Sequence, residues 1–157
     1  MLAFIELGYD CSIPYGNASK YDFIVDIEGQ LIRIQCKSSR HPTRDGVLDT
    51  DAFMFNTCSA TTNTKKTVRH KYNKEQIDYF ATCFNGKVYV IPVEECSSAK
   101  TLRFSPPNNG TKNYNKAEDY LISNLFSESS LYQSSKESYL NREIIGKIET
   151  PREYSCS

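Results

Sequence analysis

The chain has 157 residues, no net charge and 39% hydrophobic residues, which suits one domain with a real core and is too little for two ordinary ones. No apolar run approaches membrane-spanning length, and the start lacks the charged and then apolar regions of a secretion signal, so neither a membrane nor an exported protein is expected. The cytoplasm, or an organelle carrying its own genome, is the expected compartment.

Residues 1–8 read as a helix with Leu2, Phe4, Ile5 and Leu7 crowding one side and Gly8 as its C-terminal cap. SIPYGNAS, residues 12–19, is turn chemistry. The next stretch, YDFIVDIEGQLIRIQCK over residues 21–37, reads as strand–turn–strand. If Glu28 and Gly29 form a two-residue loop, Phe23 faces Ile34, Val25 faces Ile32 and Tyr21 faces Cys36, an apolar face of period two. On the other face Asp22 lies opposite Gln35, Asp26 opposite Leu31, and Lys37 diagonally beside Asp22. Asp26 is expected either to pair with Arg33 or to face water.

Residues 39–71 are polar and basic, and predict one strand at Ala52–Phe55 inside long loops. Asn73 with Gln76 resembles a capping box. YFATCF, Asn85-Gly86 and KVYVIP give the clearest hairpin, because Asn-Gly supplies both positive φ angles of a type I′ turn. Pro92 ends that strand, VEEC makes one helical turn, and Thr101–Phe104 reads as an edge strand. Asn115 with Glu118 then caps a helix Lys116–Phe126. From residue 127 the composition turns to serine and charge, so a core over 1–126 and a polar appendage over 127–157 are expected.

The cysteines (Cys11, Cys36, Cys58, Cys83, Cys96, Cys156) fall singly, with no CxxC and no finger spacing. That speaks against a zinc site and a disulfide framework. His41 and His70 are poor ligand candidates, and Ser38 and Ser39 lack a base that would make either a nucleophile. Charge is unevenly placed. Residues 33–74 hold nine Lys/Arg against Asp45, Asp49 and Asp51, a net +6, beside an acidic first segment. Such a pairing suits a site that holds a metal and a polyanion together, although a solvated basic loop looks the same.

Cleaving a phosphodiester with water requires an in-line nucleophile and neutralisation of charge on the phosphorane oxygens. Carboxylate-held Mg²⁺ supplies both Lewis acidity and a lowered water pKa. Asp22 fits the metal-ligand role, and Lys37 can orient the attacking water or stabilise the developing anion. Gln35 offers a neutral amide oxygen, and the backbone carbonyl of Cys36 is a further possible ligand. By composition alone, such a face is also what an ordinary water-facing strand presents.

The run GYDCSIPYGNASKYDFIVDIEGQLIRIQCKSS resembles the PD-(D/E)XK nuclease core, in the branch found in group I intron homing endonucleases with a D…QxK motif. IDYFATCFNGKVYVIPVEE, TLRFSPPNNGTKNY and NKAEDYL resemble the same branch, so the likeness covers roughly residues 3–121. It implies an α/β (α+β) fold with a mixed β-sheet flanked by helices, and Mg²⁺-dependent hydrolysis of double-stranded DNA. Asp22, Gln35 and Lys37 would be the catalytic set, with Asp22, Gln35 and the Cys36 carbonyl on the metal. Arg40, Lys65, Lys66, Arg69 and Lys71 are the candidate nucleic-acid contacts. A long recognition site implies a homo-oligomer, a dimer or tetramer. The family's first-helix acid falls upstream of Met1, so that helix reads as truncated and Asp22 as the one strong anionic ligand. Two alternatives follow: a catalytically degenerate relative that binds nucleic acid without cutting, and a structural module.

Overall fold

Gly8 sets the end of the first helix, α1 (Leu2–Glu6). It takes φ +89°, and the Gly8 and Tyr9 N–H groups reach back to the carbonyls of Ile5 and Phe4 at 2.9 and 3.1 Å. That paired return is a Schellman cap. The computed structural model describes residues 1–126 apart from 17, 63, 65, 108 and 109. Met1–Leu125 form one compact unit; the appendage expected over 127–157, together with Lys65 and Cys156, lies outside the described residues.

After β1 (Asp10–Ser12) come β2 (Phe23–Ile27) and β3 (Gln30–Cys36). They pair antiparallel with Phe23 opposite Ile34 and Val25 opposite Ile32, the register expected from a two-residue turn. Glu28 and Gly29 both have positive φ (52° and 84°), as a type I′ turn requires, and Asp26 Oδ1 accepts the Gly29 N–H at 2.8 Å. Further along lie β10 (Tyr79–Phe84) and β11 (Lys87–Pro92), joined through Asn85 and Gly86 at φ 49° and 73°. The resulting five-stranded sheet has the order β1-β2-β3-β10-β11. It is mixed: β3 and β10 run parallel, while the other neighbours are antiparallel.

The segment between these hairpins is not a set of long loops. It holds β4 (Ser39–Arg40), β5 (Thr43–Arg44), β6 (Val47–Leu48), β7 (Ala52–Asn56), β8 (Cys58–Thr62) and β9 (Thr67–Lys71). The strand expected at Ala52–Phe55 is β7, and it is central to a second, antiparallel sheet of order β12-β7-β4, where β12 is Ala99–Arg103. β5 with β6 and β8 with β9 make two separate ribbons. Threonine, serine and lysine in these strands leave no apolar alternation, so no period of two marks them in the sequence.

Phe53, Phe55 and Leu102 from the second sheet pack with Phe80, Tyr89 and Ile91 from the first, and Ile77, Val93 and Ala117 complete this core. Burying each large side chain contributes about 1.5–3 kcal/mol, so this cluster holds the two sheets together. On the other side Phe4 of α1 meets Phe23 edge-on, with ring centroids 5.7 Å apart. Phe4 alone of the helix's apolar side is buried; Leu2, Ile5 and Leu7 face solvent. The helix expected over Lys116–Phe126 is also broken. Asn115 is stitched to β12 by its carbonyl, which accepts the Arg103 N–H at 2.9 Å. Leu121 bridges to Tyr89 with ψ 137°. One 3-10 turn, Glu118–Tyr120, and one helical turn, α2 (Ile122–Leu125), remain on either side of it. The helices flanking the sheet are therefore short. Among the described residues, no helix is long and apolar enough to cross a membrane.

Candidate active site

Asp22 stands one residue before β2, and its N–H donates to the Ile34 carbonyl at 2.8 Å. The hairpin ladder therefore carries the Asp22 carboxylate to the end of β3. There Oδ2 accepts two hydrogen bonds, from the Cys36 N–H at 2.6 Å and from Gln35 Nε2 at 2.5 Å. Gln35 Nε2 also donates to the Cys36 carbonyl at 3.2 Å. Asp22, Gln35 and Cys36 thus meet at one point, on the exposed end of the hairpin.

Lys37 lies one residue further on, where the chain leaves β3. Its N–H donates to the Ala81 carbonyl at 2.9 Å, and its own carbonyl accepts from Thr82 Oγ1 at 2.7 Å, so β10 fixes its backbone on both sides. Lys37 Nζ is 3.4 Å from Tyr72 Oη and 4.8 Å from the centre of that ring. Tyr72 in turn meets Phe80 of the core edge-on, with centroids 5.5 Å apart. The cation is positioned by aromatic contact (worth about 0.5–2 kcal/mol) and not by a carboxylate: among the described residues Lys37 makes no ion pair. Beside it opens a groove of about 470 Å³ whose lining includes Lys37, Ser38, Ser39 and Cys83.

Behind the site, Arg33 and Asp78 lock β3 to the start of β10. The Arg33 guanidinium forks onto both carboxylate oxygens, Nε to Oδ2 at 3.0 Å and Nη2 to Oδ1 at 2.9 Å. It also caps the carbonyls of Lys74, at 2.7 Å, and Glu75. Burial raises the Asp78 carboxyl, but the Arg33 side chain and N–H outweigh it and hold the group below its ordinary range. This clamp has no signal in the sequence, because its halves are 45 positions apart. Arg33 therefore does not pair with Asp26, which is exposed, as the other expectation had it, and serves the turn.

Cys36 corrects a second expectation. Its side chain is exposed and not part of the apolar face, because β3 runs past the end of the core there. His41 is structural: Nδ1 contacts the carbonyls of Asp49 and Ala52 at 3.2 and 2.9 Å, and the ring meets Phe84. Arg40 is exposed on β4, Lys66 lies just before β9, and Arg69 and Lys71 are exposed on β9.

Whether these residues suit a divalent metal can be judged from the donors. Among the described residues, no group of three or more His, Cys, Asp or Glu comes together. A hard cation such as Mg²⁺, however, takes one or two carboxylates and completes its shell with water and substrate phosphate. The Gln35 amide touches both the Asp22 carboxylate and the Cys36 carbonyl, and turning it over would present Oε1 in place of Nε2. One carboxylate, one main-chain carbonyl and one amide oxygen then converge. The set fits such an ion, with a single negative charge.

A family model described as PD-(D/E)XK endonuclease matches residues 1–123. Among solved structures, a bacterial homing endonuclease, I-Ssp6803I, superposes with a TM-score of 0.59 at 18% identity, over 95% of this chain and 90% of that one. No curated protein sequence matches the chain. The mixed sheet is the one expected for this fold, and the chain belongs to the PD-(D/E)XK endonuclease family.

Proposed function

We propose that the protein is a Mg²⁺-dependent endonuclease of homing type that hydrolyses phosphodiester bonds in double-stranded DNA. The observation that carries this reading is the meeting of Asp22, the Gln35 amide and the Cys36 main chain one residue from Lys37. Asp22, the Cys36 carbonyl and Gln35 would hold the ion, which when bound supplies Lewis acidity and a more acidic water. Lys37 stands beside the scissile phosphate and neutralises charge as water bonds to phosphorus and the bond to the leaving sugar oxygen breaks. Tyr72 keeps the lysine on that side of the sheet. Arg40, Lys65, Lys66, Arg69 and Lys71 supply the nucleic-acid contacts. The homing character follows the structural neighbour, and with it the expectation of a homo-oligomer that spans a long site.

A second reading is a relative that binds DNA without cutting. The 2.5 Å contact between Gln35 and Asp22 favours it, since Oδ2 of the carboxylate is satisfied there without an ion. Nicking of supercoiled plasmid separates the two. The first reading expects relaxed or linear product with Mg²⁺ and none in EDTA. No cleavage of plasmid or of an intron-insertion locus, with either Mg²⁺ or Mn²⁺, overturns it.

A further inference from the structure

The β8–β9 ribbon takes no part in the site chemistry or in either larger sheet. Its register places Cys58 opposite Lys71, Ala60 opposite Arg69 and Thr62 opposite Thr67, while Ser59 faces His70 and Thr61 faces Val68. Side chains alternate across a strand, so the two faces differ. One carries Arg69 and Lys71 over the small partners Ala60 and Cys58. The other carries no Lys, Arg, Asp or Glu. Arg69 and Lys71 are exposed, and neither forms an ion pair among the described residues. No acidic residue occurs anywhere from Ala52 to Lys74.

Both roots of the ribbon are anchored, and the second of them at the candidate active site. Thr57, buried, donates its N–H and Oγ1 to the carbonyls of Ser98 and Ser97 at 3.1 and 2.8 Å. Tyr72, directly after β9, is the residue on which Lys37 rests. A charge placed merely to keep an exposed strand soluble needs no preferred face. Here the cations share one face, above side chains too small to hold another surface away.

We propose that this ribbon enters the major groove of duplex DNA with its Arg69–Lys71 face inward and reads base edges there. The inference rests on the endonuclease reading and names the element that gives it sequence preference. The major groove, about 12 Å wide, admits a two-stranded β-ribbon, and five paired residues span about 14 Å, or roughly four base pairs. Arg69, nearer the tip, can fork onto guanine O6 and N7. Lys71, at the root, meets a phosphate as a point charge. The small Ala60 and Cys58 let the ribbon backbone approach the bases.

The test is selection from a pool of random duplexes by the full chain in Ca²⁺, with anisotropy titrations on the enriched duplex and circular dichroism to confirm folding. Wild type enriches a motif. Arg69→Ala weakens binding roughly 10- to 100-fold and loses preference at one guanine position. Lys71→Ala weakens all duplexes alike and lowers the salt slope by about one. Ala60→Glu, on the inward face, abolishes binding, whereas Thr61→Glu, on the outward face, stays within about twofold of wild type. An Arg69→Ala motif identical to wild type, equal losses from the two glutamate variants, or a preference for folded RNA over duplex DNA overturns the proposal. A wild type that selects a motif through Arg69 yet cuts nothing with Mg²⁺ sinks the endonuclease reading and leaves the ribbon. One that cuts at a site Arg69→Ala still selects does the reverse.

Discussion

Arg33 and Asp78 join the parallel seam between β3 and β10 by four contacts. The Arg33 N–H donates to Oδ2 at 2.8 Å, the Asp78 N–H donates to the Arg33 carbonyl at 2.9 Å, and the guanidinium forks onto both carboxylate oxygens at 3.0 and 2.9 Å. Both side chains are mostly shielded from water, so losing one partner leaves the other poorly satisfied. Arg33→Ala should cost about 1–3 kcal/mol in urea unfolding at neutral pH. An unchanged midpoint would mean that the pair only decorates the seam.

The same clamp sets an acid limit. Hydrogen bonding to Arg103 holds the Asp49 carboxyl low against a smaller effect of burial, and Asp78 is held low by Arg33 against a larger one. A carboxylate whose folded pKa is depressed contributes stability above its unfolded pKa, near 3.9, and loses it as pH falls through the folded value. Thermal midpoints should therefore hold above about pH 5 and fall steeply below about pH 4. Asp78→Asn should lower the midpoint at pH 7 and flatten the acid fall. A parallel displacement of the whole curve would argue against the linkage.

Gln35 is the residue at which the site departs from a two-carboxylate metal centre. Gln35→Glu puts a second carboxylate against Asp22, whose oxygen now lies 2.5 Å from the amide nitrogen. Like charges this close destabilise each other unless a proton or cation intervenes. In EDTA at pH 7 the variant should melt roughly 3–6 °C below wild type, about 1 kcal/mol. Mg²⁺ should raise its midpoint by more than it raises that of wild type. Equal responses to Mg²⁺ would remove Gln35 from the proposed ligand set.

Tyr72 is a positioning residue for Lys37. Tyr72→Phe keeps the ring beneath the cation and loses only the 3.4 Å hydroxyl contact, so cleavage should fall by no more than a few fold. Tyr72→Ala removes both and should slow single-turnover cleavage roughly 10- to 100-fold. The pH–rate profile should move for the alanine variant and stay in place for phenylalanine. A purely structural role would lower the melting temperature of Tyr72→Ala without changing that profile.

How much of this was legible in the sequence depended on how locally each feature is set. A two-residue turn dictates register, so Glu28-Gly29 fixed Asp22 opposite Gln35, and Asn85-Gly86 fixed the β10–β11 pairing. Features set by distant partners were not legible. Leu121 looks helical by spacing, yet its backbone bridges to Tyr89, and that contact overrides propensity. Cys36 continues the apolar alternation but stands beyond the end of the core. Tyr72 sits among basic residues, and nothing local to it in the sequence marks it as the ring beneath Lys37. Ser59, Ala60 and Thr61 carry no strand signature of their own, and their pairing with β9 makes them one.

On the proposed reading, Asp22 and Lys37 carry metal-dependent DNA cleavage. Single-turnover cleavage of plasmid in Mg²⁺, measured for wild type, Asp22→Asn and Lys37→Ala at matched folding stability, tests it most directly. Wild type should give product, and each variant should lose at least about 100-fold in rate. Cleavage by either variant at the wild-type rate would contradict it.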